Sequence, residues 1–118
     1  MDNALDRFFS AWGEAAPDAR RDLIAGAMAE SITYADPRTQ EPITDLDALV
    51  AYVGQFTENA PGWSARVLRT DTTAGYARSL VGFGDADGVK QHGQYFSETD
   101  GEGRLTRLIG FVGTGEPT

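Results

Sequence analysis

SARVLRTDTTAGYARSLVGFGDADGVKQHGQYFSETDGEGRLTRLIGFVG, residues Ser64–Gly113, is the stretch that decides the fold. It divides into four runs of strand character: Ser64–Thr73, Tyr76–Gly84, Val89–Thr99 and Arg104–Gly113. Each run carries β-branched or aromatic residues that suit a pleated, half-buried surface. The separators are Ala74-Gly75, Asp85-Ala86-Asp87-Gly88 and Asp100-Gly101-Glu102-Gly103, residue types that form tight turns. Connections this short join neighbouring strands in antiparallel fashion, so the stretch predicts a four-stranded meander. Gly82, Gly84, Gly93 and Gly110 fall inside the runs. Glycine weakens a flat strand but permits bulges and sharp bends, and the sheet is therefore expected to be strongly curved.

Upstream of the meander the periodicity changes from two to helical. Leu5, Phe8, Phe9 and Trp12 recur on one helical face, with Asp2 or Asn3 as the cap. Pro17 suits the first position of a second helix, Asp18 complements its dipole, and Leu23, Ile24, Ala27 and Met28 supply its buried stripe. A third helix is read from Leu46, Leu49, Val50, Val53 and Phe56, capped by Thr44 with Asp47 three residues on, and stopped by Asn59-Ala60-Pro61-Gly62. Between the second and third helices, Ser31–Asp36 reads as a short strand ended by Pro37. Helices followed by strands indicate an α+β fold. The expected form is a cone, with the N-terminal helices packed into the concave face of the curved antiparallel sheet and a pocket at the open end. Thr114–Thr118 is expected to be a frayed tail.

The 118 residues fit one domain, 1–118. An apolar content of 41% and a charged content of 24% are those of an ordinary globular protein. Eighteen acidic residues against 10 Lys and Arg give a formal charge of −8, which argues against nucleic acid and anionic membranes as partners. Without cysteine there is no disulfide framework, thiolate metal site or cysteine nucleophile. The N-terminus lacks the basic and apolar regions of a secretory signal, and no apolar run approaches the roughly 18 residues of a membrane span. A cytoplasmic protein is expected.

Several chemical motifs fail on spacing. Asp85-Ala86-Asp87-Gly88 resembles part of a calcium loop, but the first and twelfth ligand positions would be Phe83 and Gln94. Gly82 and Gly84 do not belong to a dinucleotide fingerprint, and no GxSxG elbow is present. His92 is the sole histidine, so neither a metal site nor a cofactor is expected. What remains is Tyr34-Ala35-Asp36-Pro37-Arg38. An acid at the end of a short strand, beside a proline that fixes its backbone, points into whatever the cone encloses. Trp12, Tyr52 and Phe56 could line the same space from the helices. An apolar cavity disfavours a charged carboxylate and moves it toward the range of a general base. The plainer alternative is that Asp36 pairs with Arg38, or accepts backbone N–H bonds in the turn Pro37-Arg38-Thr39.

Asp36-Pro37 followed by Pro42-Ile43-Thr44, and Gly93-Gln94-Tyr95-Phe96 leading to Asp100 and Gly103-Arg104-Leu105, resemble the nuclear transport factor 2-like superfamily. The resemblance is to its SnoaL-like and ketosteroid isomerase-like members, and it covers nearly the whole chain. It implies a general-base role for Asp36, which precedes a proline and the same short loop in ketosteroid isomerases. It places Trp12 where those isomerases keep a donor tyrosine, and Tyr95 where they keep a protonated aspartic acid. Both replacements can still donate a hydrogen bond to a developing oxyanion. The candidate catalytic residues are thus Asp36, Tyr95 and Trp12, and the candidate ligand-binding residues are Tyr34, Arg38, Tyr52, Phe56 and Arg78.

Three functions fit these residues. The first is an isomerase, cyclase or lyase that moves a proton alpha to a carbonyl, with Asp36 as base. The second is a ligand-binding domain in which Arg38 grips an acidic group and the aromatics hold an apolar body. The third is an accessory homodimeric subunit with a vestigial pocket. The expected partners are a small apolar or carbonyl-containing ligand and a second copy of the chain. If Tyr95 points inward, Phe83 and Phe96 are expected on the outer, convex face, where exposed aromatics would form the dimer interface.

Overall fold

The computed structural model describes residues 3–113; Asp2 and the expected tail Thr114–Thr118 lie outside them. Helix α1, Ala4–Ser10, is capped by Asn3, whose Oδ1 accepts the Asp6 N–H at 2.9 Å. A single tight helical turn, Ala11–Gly13, continues it. Together they bury Leu5, Phe8, Phe9 and Trp12, the face seen in the sequence. Helix α2, Pro17–Ala27, starts with Pro17 in its first turn and buries Ile24 and Ala27. Met28 does not extend that helix; it opens strand β1, Met28–Ala35, which is longer than its β-branched centre implied.

Helix α3, Leu46–Asn59, is capped by Asp45 in place of Thr44: Asp45 Oδ1 accepts the Ala48 N–H at 2.8 Å. Both residue types cap well, but the carboxylate also complements the positive end of the helix dipole. Arg20 on α2, absent from the sequence reading, is buried and ties α2 to α3. Its guanidinium donates to the Glu14 and Ala15 carbonyls at 3.1 and 3.2 Å and to the Thr57 hydroxyl at 3.0 Å.

Strands β2 (Ser64–Thr73), β3 (Tyr76–Asp85), β4 (Gly88–Thr99) and β5 (Leu105–Val112) form the antiparallel meander. The sheet order is β1-β5-β4-β3-β2. Strand β1 pairs with β5 in parallel, so the sheet is mixed and not wholly antiparallel. A helix and three strands separate β1 from β5, and a connection that long can return the chain in either direction. The result is an α+β fold whose helices pack on the inner face of a curved, unclosed sheet.

The register sets which side chains face the helices. Ser79, Val81 and Phe83 on β3 stand opposite Tyr95, Gly93 and Gln91 on β4. Residues directly opposite each other share a face, so Phe83 points inward with Tyr95, and it is buried. This corrects the expected outward position of Phe83; Phe96, 48% exposed, does face out. Beyond Phe83 the ladder slips: Gly84 pairs with Val89, leaving Lys90 as the extra residue of a bulge. Only glycine fits at Gly84, because a Cβ there would stand 2.0 Å from the Gly88 carbonyl oxygen.

Candidate functional site

The site begins where β1 stops. Past Ala35 the chain turns at Pro37, and Asp36 folds its carboxylate back over the turn. Asp36 Oδ1 accepts the N–H groups of Arg38 and Thr39 at 2.9 and 3.2 Å. Thr39 Oγ1 accepts the Asp36 N–H at 3.1 Å and donates to the Asp36 carbonyl at 3.0 Å. A two-way backbone bridge between Tyr34 and Ile43, at 2.9 and 2.7 Å, clamps the base of the loop. The carboxylate is therefore fixed by backbone geometry. The ionic alternative does not occur: among the described residues Arg38 makes no ion pair, and only its backbone N–H meets Asp36.

Two phenols complete the shell. Tyr34 precedes Asp36 by two residues and so projects on the same side of the strand; its hydroxyl donates to Oδ2 at 2.6 Å. Tyr52, from the second turn of α3, stands 2.7 Å from Oδ1 and 2.6 Å from Oδ2. Burial, more than any other cause, pushes the Tyr34 phenol well above its ordinary range, and the neighbouring Tyr95 and the charge of Asp36 add to this. Burial also raises Tyr52, followed by its hydrogen bond to Asp36. Tyr95 is raised by burial as well, while a hydrogen bond with Tyr34 works in the opposite direction. All three hydroxyls stay protonated across the neutral range and can act as donors.

Asp36, Tyr52, Tyr95, Trp12, Phe56 and Arg38 line one cavity of about 900 Å³. That volume is at the upper end of small-ligand sites. The structure thus brings together six of the eight candidate residues, drawn from four separate stretches of chain. Tyr34 is fully buried behind the wall and meets the cavity through its hydrogen bonds with Asp36 and Tyr95. Arg78 is misplaced by the sequence reading. It pairs with Phe96 across the ladder, on the outer face, and its guanidinium donates to Asp71 at 3.1 Å.

Trp12 is buried with its ring edge-on to Phe56 at 4.9 Å and Phe83 at 5.7 Å, and its indole N–H has no partner among the described residues. A buried donor without an acceptor costs about 1–3 kcal/mol and is seldom retained without a role. Tyr95 owes its position to Gly110, its neighbour across the ladder: a Cβ there would stand 2.5 Å from the phenol ring. The sequence reading did not place Phe83, Trp63 or Lys90 at the cavity, yet all three line it. Pairing Phe83 with Gln91 would have found the first. Nothing local marks Trp63 and Lys90, because each enters through a turn or bulge. Among the described residues no group of three acids and histidines could hold a metal, and no helix is long and apolar enough to cross a membrane.

No family model and no curated protein sequence matches the chain. Solved structures do match. A SnoaL-like family protein from Agrobacterium tumefaciens superposes with a TM-score of 0.82 at 22% identity, covering 94% of this chain and 95% of that one. A protein of ketosteroid isomerase-like fold from Catenulispora acidiphila, solved in complex with trimethylamine, superposes with a TM-score of 0.74 at 12% identity, covering 95% and 86%. A de novo designed protein with a curved β-sheet reaches 0.69 at 11% identity, covering 93% and 82%. The fold is the nuclear transport factor 2-like cone, in the form that SnoaL-like and ketosteroid isomerase-like proteins share. Likeness of fold at these identities assigns no chemistry, which has to be argued from the site.

Proposed function

We propose that this chain is a small-molecule pocket protein in which Asp36 moves a proton alpha to a carbonyl. The observation that carries the reading is an aspartate held on a cavity wall with no cationic partner among the described residues, and with protonated phenols facing the same space. In the forward step the Asp36 carboxylate takes the alpha proton. The C–H electron pair becomes the enolate, whose oxygen accepts hydrogen bonds from Tyr95 and Trp12. Return of the proton to another carbon gives isomerisation; attack by the carbanion within the same molecule gives cyclisation. A carboxylate has about four acceptor sites, and Tyr34, Tyr52 and the amides of Arg38 and Thr39 supply four protons. Tyr52 shares one proton between both oxygens, and it is the donor that must yield.

Exchange of solvent deuterium into the alpha position of a cyclic ketone tests the step directly. Asp36→Asn keeps the size of the side chain and should abolish the exchange while leaving ketone binding nearly intact. Tyr95→Phe should slow it by about 10²–10³, the usual loss for one oxyanion donor. A native protein that exchanges no faster than buffer would refute the catalytic step.

The filled acceptor sites of Asp36 favour a second reading, a binding domain without chemistry, in which the same array recognises a ligand hydroxyl or carbonyl. In that case Asp36→Asn changes affinity and there is no rate to lose. For assembly, we propose a homodimer through the outer sheet face around Phe96.

A further inference from the structure

We infer that the cavity selects organic anions: a carbonyl compound with an apolar body that carries a carboxylate or similar acidic group. The inference rests on reading the cavity as a ligand site and adds the charge of its occupant. The chain is acidic, with 18 Asp and Glu against 10 Lys and Arg. Yet among the described residues the cavity is lined by one carboxylate, Asp36, and by two full cations, Arg38 and Lys90. Lys90 is the sole lysine of the sequence.

Elsewhere four surface arginines are paired with acids, and the exposed Arg7, Arg66 and Arg107, which enter no ion pair among the described residues, lie outside this cavity. Arg21 pairs with Asp47, Arg69 and Arg78 with Asp71, and Arg104 with Glu102. Arg38 and Lys90 enter no ion pair among the described residues, and both are exposed. Their positions follow from local backbone features rather than from regular elements. Arg38 sits in the turn that Asp36 organises, and Lys90 is the unpaired residue of the β3–β4 bulge. Bulges re-aim side chains next to binding sites.

Asp36 offsets only one of the two cations, so the lining keeps one net positive charge in a chain whose formal charge is −8. The same lining holds the aromatic side chains of Trp12, Phe56, Trp63 and Phe83. One cavity thus offers a ligand exposed cations, aromatic walls and the hydrogen-bond donors around Asp36. That combination matches an oxo acid with an apolar body. Low-dielectric walls focus the field of rim charges into a cleft, which raises both local concentration and on-rate of an anion.

The test uses three ligands of one shape and different charge, naphthoate, acetonaphthone and naphthylmethylammonium, titrated against the native chain by calorimetry at low salt. Naphthoate should bind about tenfold more tightly than acetonaphthone, the sum of two modest exposed charge contacts. The preference should shrink toward parity at about 1 M salt, where the screening length falls to about 3 Å. Arg38→Gln and Lys90→Gln should each remove part of it, and the double variant should abolish it. Arg78→Gln makes the same charge change on the opposite face and should leave it intact, excluding a net-charge effect. Equal binding of naphthoate and acetonaphthone, or tighter binding of the cation, overturns the anion preference while the cavity remains a ligand site. Failure of all three to bind overturns the ligand-site reading and the inference with it.

Discussion

The Tyr52 hydroxyl lies 2.7 and 2.6 Å from the two oxygens of Asp36, so a residue on α3 straddles a carboxylate presented by the end of β1. This contact joins the helical layer to the sheet at the cavity wall. It makes the position of the Asp36 carboxylate depend on a side chain 16 residues away in sequence.

Removing either phenol oxygen should separate the structural share of this array from its chemistry. Tyr34→Phe deletes a buried hydrogen bond to a charged group and should cost about 1.5–3 kcal/mol, the range for such bonds. Tyr52→Phe acts at a half-exposed position, where water can replace the donor, and should cost about 1 kcal/mol. Urea unfolding would show this order. A larger cost for Tyr52 would mean that the helix contact, not the strand, holds the carboxylate.

Stability should be flat through neutral pH and fall above pH about 10, the ordinary tyrosine value. Tyr34, Tyr52 and Tyr95 are all raised in the folded state, mainly by burial. Between the unfolded and folded values the unfolded chain has lost protons that the native state keeps. Ionisation there stabilises the unfolded state, and stability declines as pH rises. Urea midpoints measured across alkaline pH should decline, and Tyr34→Phe should make the decline shallower. A stability that increases in that window contradicts the burial of the phenols.

Gly110→Ala should destabilise the protein by about 1–3 kcal/mol, the range for overpacking. The new Cβ would meet the Tyr95 ring at 2.5 Å, in a packed region where that ring also stacks edge-on against Phe9 at 4.9 Å. Tyr95→Ala should relieve the clash, making the double variant more stable than the two single losses would sum to. A double-mutant cycle measures this coupling directly.

Four substitutions should divide by face. Phe9, Phe83 and Leu49 lie in the buried core, and each change to Ala should cost about 2–5 kcal/mol. Phe96 is half-exposed and packs edge-on against Phe111 at 5.8 Å on the outer face. Phe96→Asp should leave the monomer folded while light scattering reports one chain mass where the native protein gives two. A native protein that scatters as one chain at every concentration would dismiss the dimer.

Local chemistry made much of this protein legible in its sequence. Turn residues separated the four strands, the helical stripe of Leu5, Phe8, Phe9 and Trp12 named a core face, and Asp36-Pro37 marked the end of a strand. These features depend on residues within a few positions of each other, where backbone preference and side-chain periodicity act directly. What the tertiary structure alone decided depends on register and on long connections. A period of two says that Phe83 and Arg78 face opposite ways, but not which of them faces in. Only the pairing of Phe83 with Gln91 and of Arg78 with Phe96 settles that phase. The parallel return of β1 beside β5, the arrival of Tyr52 at Asp36 and the aim of Lys90 from a bulge likewise bring together groups far apart in the chain. Each such meeting is fixed by the packing of whole elements, and no local preference encodes it.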